Sequence, residues 1–267
     1  MENGLVILQN TNKVGALIDA IEASDNWSYK IGTQGNVVDV EGYDAIFRYG
    51  ATHSLNGRGE DVPIVNTARS IHRCYDKVGA RKLLDEVGIE VPEIITSTDQ
   101  LSEGDKLVAR PVNHSQGRDV VLINSVNELA NFMLNHNTND WYISRVVEKT
   151  NEYRIWMAQG TIFYACEKHP EDRNQFTWGG DNARWESIGY NSIPKEFYEI
   201  AEETYEALGI EIAAIDVIYD GDKYYFLEAN TSYEATSPYV AKKTLQVATD
   251  LANDVLYNKG MFIERNF

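Results

Sequence analysis

The chain is short of cysteine, of positive charge and of long hydrophobic runs. Cys74 and Cys166 are its only cysteines. Two in 267 residues cannot build a disulfide framework, so a reducing compartment, the cytoplasm, is the simplest expectation. Lysine and arginine number 24 against 41 acidic residues, a net charge of −17. That balance argues against nucleic acid or an anionic membrane as the main partner, while leaving room for an anionic small ligand in a local basic pocket. No apolar run approaches the roughly 20 residues that span a bilayer, and Met1-Glu2-Asn3 does not open like a basic secretory signal. No G-x-G-x-x-G follows a strand, and Gly57-Arg58-Gly59 is too short a pattern, so a dinucleotide-dependent oxidoreductase is a poor reading.

What remains is ordinary for a globular protein. Apolar residues make up 43% and charged ones 24%, enough for one large or two modest cores. Gly4 to Asn10 reads as a buried strand, and Val14, Leu17, Ile18 and Ile21 fall at helical spacing. With a second strand ending near Arg48, this predicts a short α/β lobe over residues 1–65. Arg48 sits where strand gives way to loop, a usual place for a ligand contact and equally for a surface arginine. Thr67 to Val87 is helical in two pieces, with Arg73 and Lys77 four apart on one face.

Leu107 to Pro111 is a strand with Arg110 near its end. The polar loop that follows, 113–119, holds Ser115, Gln116 and Gly117 and could fold over phosphates with its N–H groups. Ser125 and Glu128 form a capping box. Strands follow at Trp141–Val147, Arg154–Ala158 and Thr161–Glu167. Residues 168–191 read as a long irregular loop with Trp178 and Trp185 exposed. A helix from Pro194 to Gly209 and a last one over about 238–258 complete the pass.

Between those two helices, EIAAIDVIYDGDKYYFLEANTSYEATSP reads as a β-hairpin turning at Asp220-Gly221-Asp222. Glu228 and Asn230 are two apart, so they share a face. A three-residue loop would set Phe226 opposite Asp216 and Glu228 diagonally across, with Cβ atoms roughly 7–8 Å apart. Two carboxylates and an amide oxygen so placed suit Mg²⁺. On these residues alone, a metal site and a solvated polar face stand about equal, although Asp inside AAIDVI interrupts an apolar run.

Taken in order, Asp76-Lys77, GIEVPE, VARPVNHSQGRDVVLI, ISRVVEKTNEYRIWM and GIEIAAIDVIYDGDKYYFLEANTS resemble the ATP-grasp superfamily. The resemblance runs over roughly residues 66–260 and is to carboxylate–amine ligases of the ribosomal-protein S6 glutamate ligase kind. It implies an α+β fold in which two α+β lobes grip ATP: a central lobe of about 66–145 and a C-terminal lobe of about 146–267. The implied activity is ATP-dependent amide or peptide bond formation through an acyl phosphate, giving ADP and phosphate. The implied cofactors are ATP and Mg²⁺, with Mn²⁺ as a substitute. The implied partners are an amino acid or a peptide or protein carboxylate, an amine acceptor, and a second copy in a homodimer.

Residue by residue, the resemblance implies that Lys77 and Arg110 contact the ATP phosphates and that 113–119 closes over them. Val146, Val147 and Glu148 would hydrogen-bond adenine, and Glu152 would hold the ribose. Arg154 would face the γ-phosphate and the acyl phosphate, while Asp216, Glu228 and Asn230 would hold magnesium. Asn174 would help to orient the substrate, and Arg48 is a candidate anchor for the acid. The chain departs from the pattern at Arg110, where the family usually has lysine, and in a closing loop with fewer glycines. Thr231-Ser232-Tyr233-Glu234 replaces a Pro-Gly turn, and the first lobe is short. These departures motivate a second reading, a nucleotide-binding module without ligase activity that serves as scaffold or sensor.

Overall fold

The computed structural model describes all residues except 13, 33–35, 60–61, 103, 113–118, 138, 174, 179–182, 235–236 and 259–267, and only the backbone of 255–258. Gly4–Leu8 (β1) is wholly buried, as its unbroken apolar sequence requires of a strand covered on both faces. Gly15–Glu22 (α1) follows it, burying Leu17 and Ile21, and the chain returns in parallel as Trp27–Ile31 (β2). Val38–Asp39 (β3), Ala45–Tyr49 (β4), Leu55–Asn56 (β5) and Ile64–Val65 (β6) complete the first lobe. Its parallel sheet has the order β2-β1-β4-β6, and β3 pairs with β5 alongside.

Ala68–Tyr75 (α2) and Lys77–Glu86 (α3) are separated by Asp76, whose side chain accepts from the Gly79 N–H and caps α3. This break undoes the expected Arg73–Lys77 face. Arg73 donates to the last carbonyls of a later helix, those of Ala207 and Leu208, while Lys77 turns toward Glu228.

Leu107–Pro111 (β7), Val121–Ile123 (β8) and Trp141–Arg145 (β9) form a small antiparallel sheet, β8-β7-β9, backed by Val126–Asn135 (α4). The largest sheet is antiparallel: Asn151–Ala158 (β10), Thr161–Pro170 (β11), Ala183–Ser187 (β12), Ile212–Tyr219 (β13) and Tyr224–Asn230 (β14) lie in the order β12-β11-β10-β13-β14. The stretch 168–191 is therefore not one long loop, because β11 continues to Pro170 and pairs with β12. Trp178 is buried rather than exposed, its ring lying under the Lys149 ammonium.

One face of the large sheet packs on Lys195–Leu208 (α5) through Ile155, Ile215, Val217, Phe226 and Phe197. Helices α2 and α3, which the sequence groups with the central lobe, supply Ile71, Cys74, Ala80 and Leu84 to this same core. Pro238–Asn258 (α6) turns away from it and packs Val240, Ala241, Ala248 and Leu251 with the first lobe's Leu17, Ile21 and Phe47. Both cysteines are free and buried. Burial pushes the Cys74 thiol up to about 12 and raises Cys166, so neither is a thiolate near neutral pH. Among the described residues no helix is long and apolar enough to cross a membrane.

Asn66 joins the first lobe to the large sheet. It is fully buried at φ 63°, its Nδ2 donates to the Ile212 carbonyl at 2.8 Å, and its Oδ1 accepts from the Ile212 N–H at 2.9 Å. Its own N–H donates to Glu211 at 2.8 Å. Asn tolerates this left-handed backbone better than other non-glycine residues. Asn66→Ala should leave both Ile212 groups unsatisfied and destabilise the fold by about 2–4 kcal/mol, read as a lower urea midpoint at unchanged slope.

Candidate active site

The second face of the large sheet carries charge. Residues two apart on a strand share a face, which brings Glu152 and Arg154 of β10 together with Cys166 and Lys168 of β11 and Asp216 of β13. Glu228 and Asn230 of β14 join them. Two one-residue bulges set this arrangement. In β11, Met157 pairs with Ile162 but Trp156 with Tyr164, which leaves Phe163 unopposed and brings Lys168 opposite Glu152. In β14, Val217 pairs with Phe226 but Asp216 with Glu228, leaving Leu227 unopposed.

The hairpin register thus corrects the diagonal expectation. The connection is Asp220–Lys223, with Asp220 Oδ1 accepting from the Asp222 and Lys223 N–H groups, and the bulge then adds one more step. Asp216 and Glu228 face each other directly. The Asn230 amide lies between them, 3.2 Å from Asp216 Oδ2 and 3.1 Å from Glu228 Oε1. With its amide turned over, Asn230 would present its oxygen to a cation between the carboxylates.

Each anion has a cation beside it. Arg154 grips Asp216 in a two-point bridge, Nε to Oδ1 at 2.6 Å and Nη2 to Oδ2 at 2.8 Å. Burial would lower the Arg154 pKa, but Asp216 outweighs it and holds the guanidinium well above its ordinary value. Lys77, at the start of α3, reaches Glu228 Oε2 at 2.5 Å. Burial alone would raise the Glu228 carboxyl, but Lys77 and the Asn230 hydrogen bond hold it down at about 2. Glu152 lies between Lys149 and Lys168, each at 2.6 Å. These two lysines overcome the burial penalty and keep the carboxyl below its ordinary range. Trp185 of β12 covers the cluster, with Arg154 and Lys168 each 5.1 Å from its ring centre.

Arg110 stands on the neighbouring sheet, opposite Tyr142 in β9 and over the ring of Phe176. Val146–Glu148 leave β9 directly and lead into β10. The Val146 N–H is bonded to the Lys106 carbonyl, and the Glu148 carboxylate pairs with Lys106 at 2.6 Å. Arg48 is buried away from this cluster, donating Nη1 to the carbonyls of Ala51 and His53 at 3.0 and 2.9 Å. Ser115, Gln116, Gly117 and Asn174 lie outside the described residues.

Among the described residues no three His, Cys, Asp or Glu side chains gather as a metal site. The donor set is two carboxylates and one amide, all hard oxygens, which fits a Mg²⁺ that keeps waters and phosphate oxygens as its other ligands. Beyond the row Trp156–Tyr164, the sheet borders a groove of about 530 Å³ lined by Phe163, Tyr164, Ser187, Tyr190, Tyr239 and Lys243 among others.

The sequence passes over Lys149, Lys168, Trp185 and Arg81. The Gln159-Gly160 turn, with both φ values positive, signals the β10–β11 hairpin. Regular pairing from that turn would set Glu152 opposite Glu167, and only the Phe163 bulge brings Lys168 there.

No family model matches the sequence, and no curated protein sequence does. The likeness is in the fold. The D-alanine–D-alanine ligase of Bacillus anthracis, solved with ATP, superposes with a TM-score of 0.65 at 17% identity, over 97% of this chain and 99% of that one. The fold is that of the ATP-grasp ligases. The RimK-domain ATP-grasp protein of Sphaerobacter thermophilus superposes at 0.60 with 16% identity, over 95% and 99% of the two chains. The ATP-grasp ligase PsnB, solved with a phosphomimetic variant of its minimal precursor, Mg and ADP, superposes at 0.64 with 12% identity, over 97% and 99%.

Proposed function

We propose that the chain is an ATP-dependent carboxylate–amine ligase that forms an amide or peptide bond through an acyl phosphate and releases ADP and phosphate. The observation that carries this reading is the facing pair Asp216 and Glu228, with Asn230 between them and Lys77 and Arg154 alongside. A surface that only bound nucleotide would not need two half-buried, opposed acids each held by its own cation.

A carboxylate resists attack by an amine because its leaving group is poor. Transfer of the γ-phosphoryl of ATP to the acid oxygen breaks the Pγ–O bond to ADP and forms an acyl phosphate. The amine then adds to the carbonyl, loses a proton, and expels phosphate. The protein's work is to align two anions and offset charge on the transferred group. Lys77, Arg110 and Arg154 would bind phosphate oxygens, with Lys168 beside Arg154 at the Trp185 ring. Asp216, Glu228 and Asn230 would hold Mg²⁺, which would neutralise the phosphate oxygens. Val146–Glu148 would receive adenine. Glu152 would bind the ribose if one of its two lysines released an oxygen. Asn174 would be a substrate anchor in this reading, and Arg48 would be one only if its Nη1 left the Ala51 and His53 carbonyls; the Tyr164–Tyr239 groove offers room for a substrate side chain. The likeness to a D-alanine–D-alanine ligase and to PsnB, solved with a variant of its minimal precursor, supports an amino acid or a peptide as substrate.

The test is ADP release from Mg-ATP across a panel of amino acids and short peptides, each offered alone and in acid–amine pairs. Release that needs both partners, with a new amide by mass, supports the ligase. Release indifferent to the amine describes an ATPase or phosphotransferase and removes the ligation step.

A further inference from the structure

Arg81 lies one turn on from Lys77 in α3 and is only 3% exposed. Its Nε donates at 3.0 Å to the carbonyl of Leu227, the unopposed residue of the β14 bulge. Its guanidinium lies over the Tyr142 ring, 5.4 Å from the centre, and Tyr142 is the strand partner of Arg110. Nη1 is buried with no hydrogen-bond partner among the described residues. Among the described residues no carboxylate pairs with this guanidinium; a charge so buried is costly, and clamping one carbonyl would not by itself require one.

The place of the clamp gives it meaning. Pairing from Tyr219 opposite Tyr224 would, if it ran on regularly, set Leu227 opposite Asp216. A one-residue slip turns every later side chain to the other face, so Glu228 and Asn230 would leave the charged face. The bulge prevents this, and Arg81 holds the bulged residue. We propose that Arg81 is a positioning residue for Glu228: it pins Leu227 so that Glu228 faces Asp216, and ties that geometry to the strand pair carrying Arg110. The inference rests on the proposed reading of Asp216, Glu228 and Asn230 as the Mg²⁺ ligands.

The experiment uses Mn²⁺ as the probe, with its binding to the full chain followed by electron paramagnetic resonance in the presence of a non-hydrolysable ATP analogue. Wild type, Glu228→Gln, Arg81→Met and Arg81→Lys are compared, with melting temperature and metal-free analogue affinity measured in parallel. Arg81→Met should weaken Mn²⁺ on the order of tenfold or more while the metal-free affinity stays close to wild type. Arg81→Lys, whose ammonium can still reach the Leu227 carbonyl, should recover part of it. Deletion of Leu227 removes the bulge and leaves Glu228 opposite Asp216 by regular pairing, so it should keep Mn²⁺ binding, and should restore it to Arg81→Met. If Arg81→Met does not fold, Arg81→Met combined with the Leu227 deletion decides: a folded protein that binds Mn²⁺ supports the proposal, and loss of Mn²⁺ there overturns it. A lower melting temperature in Arg81→Met with Mn²⁺ affinity unchanged also overturns it, as a merely structural role. Wild type and Glu228→Gln binding Mn²⁺ equally would instead sink the metal reading itself, and this inference with it.

Discussion

Glu228→Gln should abolish the stabilisation that Mg-ATP gives to the wild-type chain. At ~100 times its Kd, a ligand that binds only the folded state adds about 2.7 kcal/mol. For a chain of this size that is a rise in Tm of roughly 5–10 °C. Glutamine keeps the shape of the side chain and one oxygen but removes the charge that faces Asp216. It also removes a charged partner of Lys77, so the variant's own baseline falls and the shift must be read within each protein. Differential scanning with ATP alone, Mg²⁺ alone and both together separates the contributions. The expected result is a Mg-dependent shift in wild type that is lost or much reduced in the variant. An equal shift in both would remove Glu228 from the metal site, and no shift with any nucleotide in wild type would leave only the fold in common with the ligases.

The same residue shows where sequence reasoning reaches and where it stops. Glu228 and Asn230 belong to one face because strand side chains alternate, a rule that needs no register. That Asp216 faces Glu228 directly, rather than diagonally, depends on a four-residue connection and one extra residue at Leu227. Nothing in KYYFLEAN marks Leu227 as the residue that bulges; Arg81, on a helix far back in the chain, holds it. Lys168 was hidden in the same way by the bulge at Phe163. The helices α2, α3, α5 and α6 were legible from periodicity and caps, but their partners were not. Periodicity tells which side of α3 is apolar and says nothing of which sheet will cover it. Arg48 illustrates the opposite limit. Its position at a strand end is real, yet its Nη1 serves two backbone carbonyls of its own lobe.

Arg154→Met should destabilise the protein by about 3–5 kcal/mol, because it leaves Asp216, with only 13% of its side chain exposed, without the cation that holds both of its oxygens. The corresponding fall in Tm is on the order of 10 °C. The argument predicts the sign of a second change as well. Replacing both members of a buried pair with neutral groups costs little, since the desolvation penalty of each ion disappears with it. Arg154→Met with Asp216→Asn should therefore regain most of the lost stability, and a double-mutant cycle should return a coupling well above the few tenths of a kcal/mol expected for independent sites. Activity should not return with it. If Arg154 faces the transferred phosphoryl and Asp216 is a metal ligand, the rescued double variant will be folded and inert. Stability that fails to recover would mean that Arg154 serves Trp185 and Lys168 more than Asp216. Recovery of both stability and ADP release would place the phosphoryl-transfer chemistry elsewhere on the sheet.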